Sequence, residues 1–178
     1  VIHSPFGGRV NGAWALALSS AVRDRIGIDV DTLTNDDGIL LHFPRATRTG
    51  LKMLAGEELI RAMTPREARE RILRELPDSA VFGAHFRMNA ARALLLPRAR
   101  GGKRTPFWLQ RLKAKNLLAA VRQFDDFPIV AETYRDCLRD VFDMPHLEEL
   151  LQRIQDGDVR VVAVDTLAPS PVAAGLLF

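Results

Sequence analysis

From Leu51 to Gly157 apolar residues recur at three- and four-residue steps in successive runs, and proline or glycine punctuates almost every one. A chain patterned this way folds as a series of short, packed helices. Thr64-Pro65-Arg66-Glu67 reads as a capping box, with Thr64 accepting from the Glu67 amide, Glu67 reaching back, and Pro65 placed where no N–H is needed. That helix is predicted to run to about Glu75 and to stop before Pro77. Asp78 is expected to cap the next one, whose stripe of Val81, Phe82, Phe86, Ala90, Ala93 and Leu94 continues to about Leu96, before Pro97. After a basic loop from Arg98 to Arg104, Thr105-Pro106 repeats the start signal. The following helix is predicted to bury Phe107, Ala114, Leu117, Leu118 and Val121 and to show Arg111, Lys113 and Lys115 on its other face. Beyond Asp125-Asp126 a helix carries Val130, Thr133, Tyr134, Cys137, Leu138, Val141 and Phe142 on one side. A last one starts at Asp143-Met144-Pro145, buries Leu147, Leu150, Leu151 and Ile154, and closes at Gly157.

The N-terminal part reads differently. Val1-Ile2-His3 resembles the end of a strand, Ser4-Pro5-Phe6-Gly7-Gly8 a turn, and Val10, Ala13, Trp14, Ala17, Leu18, Ala21, Val22 and Ile26 one stripe of a helix. Ile28–Leu33 and Gly38–Phe43 are β-prone runs separated by a turn containing Asp37-Gly38, a strong hairpin signal. Val159–Val164 reads as a final strand and Pro169-Ser170-Pro171 as an extended tail. The expected class is α+β, mainly helical. A strand-helix-hairpin unit (1–45) is followed by a helical bundle (46–157), then a terminal strand with a Pro-containing tail (158–178). One domain is the default for this length, and two small subdomains are the alternative. So small a sheet calls for further strands upstream. A chain that opens Val-Ile-His without an initiator Met reads as a piece of something longer.

Charge is unevenly distributed. Residues 1–78 carry 11 basic and 11 acidic side chains, residues 79–124 carry 10 basic and none acidic, and residues 125–178 carry 4 basic and 11 acidic. Forty-six residues without a carboxylate are either a phosphate-binding surface or a stretch that pairs with the acidic C-terminal third. The hydrophobic content of 47% suits a chain that folds around its own core. The single Cys137 excludes an internal disulfide and fits a reducing, cytoplasmic setting. No apolar run is long enough to span a membrane.

Catalytic patterns are missing. The closest approach to a phosphate loop, Gly102-Lys103-Arg104, has Pro97 where the first glycine is required and Arg104 where the magnesium-binding hydroxyl belongs, so the chain is expected not to hydrolyse ATP. No G-x-S-x-G elbow occurs, and Cys137 lies in an apolar stripe. Glu132, Asp136 and Asp140 alternate with Arg135 and Arg139 as a solvated face does, and His3, His42, His85 and His146 lack ligand spacing. No cofactor and no metal are expected in this chain.

The stretch Phe82-Gly83-Ala84-His85-Phe86-Arg87-Met88-Asn89-Ala90-Ala91-Arg92-Ala93-Leu94-Leu95-Leu96-Pro97, with Gly102-Lys103-Arg104-Thr105-Pro106-Phe107-Trp108-Leu109-Gln110-Arg111, is similar to a signature block of the large helicase-related (Lhr) family. His3 to Asn11, Asp36 to Ile39, Phe127 to Val130, Glu132 to Arg135 and Pro169 to Pro171 resemble further family blocks in the same order. The likeness spans the chain and corresponds to the DEAD/H-associated domain. His85, Met88 and Val172 depart from the pattern, standing where Arg, Glu and Phe are usual. The resemblance implies an accessory domain of an ATP-dependent, 3′-to-5′ superfamily 2 DNA helicase in bacterial DNA repair, cytoplasmic and nucleoid-associated. ATP and Mg would belong to the parent's RecA-like domains. Single-stranded DNA, or an RNA–DNA hybrid, would be the partner.

A sequence-independent grip needs cations for phosphates and apolar faces for bases. Trp108 is the first candidate for base contact, with core packing beside Phe107 as its alternative. Ile39, after the Asp36-Asp37-Gly38 turn, is the second, against ordinary burial. Arg87, Arg92, Arg98, Arg100, Lys103, Arg104 and Arg111 are the expected phosphate contacts, with Arg9 and Asn11 weaker candidates. A protein-interaction scaffold without nucleic-acid contact is the competing class.

Overall fold

A computed structural model describes residues 1–43, 56–96, 105–124, 126–168 and 170–177. In chain order they form β1 (Ile2–His3), α1 (Gly8–Ile26), β2 (Asp31–Asn35), β3 (Gly38–His42), α2 (Gly56–Ala62) and α3 (Pro65–Glu75). A 3-10 turn at Leu76–Asp78 leads to α4 (Ala80–Arg92), α5 (Phe107–Val121) and α6 (Pro128–Asp136), which passes into a π-helical turn at Cys137–Val141. Then come α7 (Met144–Gln155) and α8 (Pro171–Leu177). Two compact units result, one of Val1–Glu75 with Phe142–Phe178 and the other of Leu76–Val141.

In the first unit the three antiparallel strands run in the order β1-β3-β2, with Ile2 opposite Ile39 and Leu33 opposite Leu40. Gly38 sits where a Cβ would lie 2.6 Å from the Ile2 carbonyl oxygen, so the hairpin closes against β1 only with glycine there. α1 buries Val10, Trp14, Leu18, Ala21 and Val22. Asn11, fully buried, ties helix to sheet: its amide donates to the carbonyl oxygens of Ser4 at 2.8 Å and Asn35 at 2.9 Å, and its Oδ1 accepts from the Ser4 hydroxyl at 2.5 Å. The Asp36 carboxylate accepts from the Gly8 amide at 2.8 Å, at the positive end of α1.

α1 and α3 meet through charge as well as packing. Asp24 lies between Arg71, at 2.6 Å, and Arg74, at 2.9 Å, while Glu75 accepts from Arg23, Arg74 and Ser20. Burial alone would raise the Glu75 carboxyl, but those three donors hold it below its ordinary value. The capping box forms by half. The Glu67 amide donates to Thr64 Oγ1 at 3.1 Å, but the Glu67 carboxylate turns forward to Arg71 at 2.8 Å.

The C-terminal expectations change. Val159–Val164 runs irregularly rather than as a strand, because no described strand lies beside it to complete a ladder, and β-prone residues form strands only on a paired surface. Arg61 instead donates to the Val161 carbonyl oxygen at 2.9 Å. The tail is helical: the Ser170 hydroxyl accepts from the Ala173 amide at 3.1 Å, Pro171 takes the first helical position, and α8 packs against β3.

The second unit packs α4 against both α5 and α6. Phe82, Phe86 and Ala90 form its buried centre, and Phe82 meets Tyr134 edge to face, with centroids 4.9 Å apart. Ser79, not Asp78, caps α4, accepting from the Phe82 amide at 3.1 Å. Asp78 is drawn away by Arg122, which donates to its two oxygens at 2.7 and 3.2 Å.

Replacing Glu75 with Gln is expected to destabilise the fold by about 2 kcal/mol, because three donors lose a charged acceptor. The folded carboxyl titrates below its ordinary 4.5, so its contribution is complete above that pH and is lost as pH falls through the folded value. Urea unfolding across pH 3 to 7, a range chosen around the ordinary carboxyl value, should therefore show a shallower acid loss for Glu75→Gln than for the wild type.

Candidate nucleic-acid interface

The carboxylate-free stretch supplies the whole of α4 and of α5. Among its described cations, Arg122 pairs with Asp78, whereas Arg87, Arg92, Arg111, Lys113 and Lys115 have no ion-pair partner among the described residues of their unit. The acidic side chains of α6 are engaged elsewhere in the unit: Glu132 pairs with Arg135 at 2.9 Å, and Asp136 accepts from Asn89 at 2.7 Å. Among the described residues of this unit, those five cations therefore stay without an acidic partner.

Trp108 stands on the first turn of α5 with 66% of its surface exposed. Phe107, predicted for the core, is 56% exposed. The helix is apolar nearly all round, so periodicity could not select the buried side. α4 covers Ala114 and Val121 and leaves Phe107, Trp108 and Leu112 outward. Two guanidiniums then lie over the Phe107 ring, Arg87 from α4 at 4.8 Å from the centroid and Arg111 from α5 at 4.6 Å. Leu94 and Leu95, just past the end of α4, are exposed, and Leu94 adopts a left-handed φ of 61°. The expected stripe therefore ends at Ala90 rather than reaching Leu94.

α4 is held to α6 by a buried polar bridge that the sequence reading missed. Asn89 Nδ2 donates to Thr133 Oγ1 at 3.3 Å and to Asp136 Oδ2 at 2.7 Å, and the Thr133 hydroxyl donates to the Ile129 carbonyl oxygen at 2.6 Å. An asparagine on an otherwise apolar helix face was the available signal. Cys137 is buried beside this bridge, and burial, with Asp136 adding to it, pushes its thiol up to about 11, so it packs rather than reacts.

The remaining sequence candidates are distributed elsewhere. Ile39 is fully buried in the central strand of the three-stranded sheet, so its side chain packs in the core instead of projecting from the hairpin against a base. Asn11 is likewise buried with its amide occupied, and the phosphate role expected for it gives way to a structural one. Arg9 is exposed on α1 in the first unit, where its charge helps hold the Asp143 carboxyl low behind the larger effect of His146. Arg98, Arg100, Lys103 and Arg104 lie outside the described residues. No described helix is long and apolar enough to cross a membrane.

A family model described as DEAD/H associated matches residues 1–173. The chain belongs to that family. It is 44% identical over its whole length to the Lhr helicase/probable uracil glycosylase of Mycolicibacterium smegmatis and 39% identical to the Lhr helicase/uracil glycosylase of Escherichia coli. It is 31% identical, over 99% of its length, to the ATP-dependent helicase Lhr-Core of Methanothermobacter thermautotrophicus. The chain spans 12%, 11% and 20% of these relatives. The solved structure of Mycobacterium smegmatis helicase Lhr bound to ssDNA and AMP-PNP superposes with a TM-score of 0.86 at 43% identity, over 99% of this chain and 22% of that one. The likeness read from the central block and its flanking motifs is thus a family relationship.

Asn89→Ala should leave Asp136 half-buried without its donor and loosen α4 from α6, costing about 1 to 3 kcal/mol. Faster amide exchange in α4 and α6, with α1 unaffected, is the expected signature.

Proposed function

We propose that the chain is a sequence-independent, single-strand-gripping accessory domain of an ATP-dependent 3′-to-5′ helicase that acts in DNA repair. The observation that carries this reading is an exposed indole on a helix whose neighbouring cations have no carboxylate partners among the described residues of their unit. A base can stack on Trp108 whatever its identity, while Arg87, Arg92, Arg111, Lys113 and Lys115 neutralise phosphates. From the sequence, Arg98, Arg100, Lys103 and Arg104 are proposed for the same grip; they lie outside the described residues. The relatives' names and the ssDNA in the solved Lhr structure support this partner class.

In this reading the RecA-like domains of the parent hold ATP and Mg, hydrolyse the nucleotide and advance the strand, and this chain completes the track. The chain's own part is passive. It supplies fixed positive charge and a stacking face, with no base-specific hydrogen bonding, so that each step along the strand meets the same surface. A displaced strand of a DNA duplex or of an RNA–DNA hybrid would be gripped alike, in a protein that works in the bacterial cytoplasm at the nucleoid.

Trp108→Ala in the full-length protein tests the reading. Loss of one stacked base is worth roughly 1 to 3 kcal/mol, so single-strand affinity should fall about 5- to 150-fold, and duplex unwinding with it. Unaltered unwinding and affinity would favour the scaffold alternative.

A further inference from the structure

Resting on the single-strand reading, we infer that Arg87 and Arg111 are not two separate phosphate contacts but one clamp for a single phosphate, assembled by Phe107. The guanidinium carbons lie 4.8 and 4.6 Å from the same ring centroid, and they come from different helices. Two like charges drawn to one small ring repel each other, and neither has an ion-pair partner among the described residues of its unit. An aromatic face offsets part of that repulsion, because its quadrupole attracts cations and its flatness matches a guanidinium plane. It also holds both guanidiniums near one ring before any ligand arrives. An anion shared between them turns mutual repulsion into mutual attraction to the ligand, and a phosphate has enough acceptor oxygens to take charge-assisted hydrogen bonds from both.

Phe107 is then a positioning residue. The residue is 56% exposed, more than core packing would leave, and two guanidiniums lie over its ring. Clamp and stacking surface also share one turn of α5, since Trp108 follows Phe107 directly and Arg111 lies four residues after it. One nucleotide could thus be held by its phosphate and a neighbouring base at adjacent positions on the helix.

The test measures binding of the full-length protein to an oligo-dT strand, without nucleotide, across a salt series. Arg87→Gln and Arg111→Gln should each reduce the salt slope by about 0.7, the value for one phosphate on a single strand, and the double variant should lose no more than either one. Phe107→Leu should reproduce that loss without removing any charge, and Phe107→Tyr should restore wild-type behaviour. Arg87 is half-buried, so Arg87→Lys accompanies it; the ammonium keeps the charge but cannot lie flat on the ring, and it should behave as Arg87→Gln does. A double variant losing about 1.4, twice the single-phosphate value, would overturn the shared clamp in favour of two independent contacts. A Phe107→Leu protein with the wild-type slope would overturn the role of the ring. Failure of the single-strand reading itself looks different: there Trp108→Ala and Arg92→Gln would also leave affinity and slope untouched.

Discussion

No carboxylate occurs between residues 79 and 124, and the character of the second unit follows from that constraint. In most small helical units exposed cations find acidic neighbours three or four residues away, as Arg66 and Glu70 do on α3. α4 and α5 contain no acid that could play this part. Their cations extend into solvent or lie against Phe107, and the one pair formed by the stretch, among described residues, reaches outside it to Asp78. The cost is tolerable because solvent and salt screen exposed charges beyond roughly 8 Å at physiological ionic strength. The consequence is a surface whose positive charge the unit itself does not cancel.

Polar groups in the interior do a different task. In the first unit Asn11 satisfies the Ser4 and Asn35 carbonyl oxygens at once, so the turn before α1 and the end of β2 are fixed to a single amide. In the second, Asn89 bridges Thr133 and Asp136. Each group is expensive to bury alone and acceptable only with its partners in place, which makes each a register pin for the elements it joins. Sliding α4 along α6 by one residue would strand Asn89 among apolar neighbours. The positions of Arg87 and Arg92, on the same helix, are set by that pin.

Much of this was legible in the residues. Stripes and prolines placed the helices from α3 to α7, and Asp37-Gly38 placed the hairpin, because local backbone chemistry decides those features. Asp78 reads as the cap for α4 in sequence, and only Arg122, distant along the chain, draws its carboxylate away and leaves the position to Ser79. Val159–Val164 has strand-forming side chains, but a strand needs a neighbour, which lies outside the information carried by six residues. Ser170-Pro171 is as good a helix start as Thr64-Pro65, yet proline spacing suggested an extended tail. For the candidate surface, the basic block and Trp108 stand out in the sequence and the structure leaves Trp108 exposed, while Ile39 and Asn11, suggested by chain proximity to a turn, are buried. Phe107 was the harder case. On a helix apolar around most of its circumference, which side is outward depends on how much area the neighbouring helix covers.

The outward placement of Phe107 and Trp108 has an energetic meaning of its own. Burying side chains of this size is worth about 1.5 to 3 kcal/mol or more each, a gain the unit forgoes. Repacking α5 to hide them would turn Arg111, on the same helical turn, toward the apolar centre of the unit, where an unpaired charge costs far more than the aromatic burial returns. The aromatic side chains are therefore held outward by the cation they share a helix with. An exposed aromatic beside cations that have no acidic partner among the described residues of their unit suits the ligand class proposed above, since a polynucleotide strand carries flat faces and negative charge in close repeat.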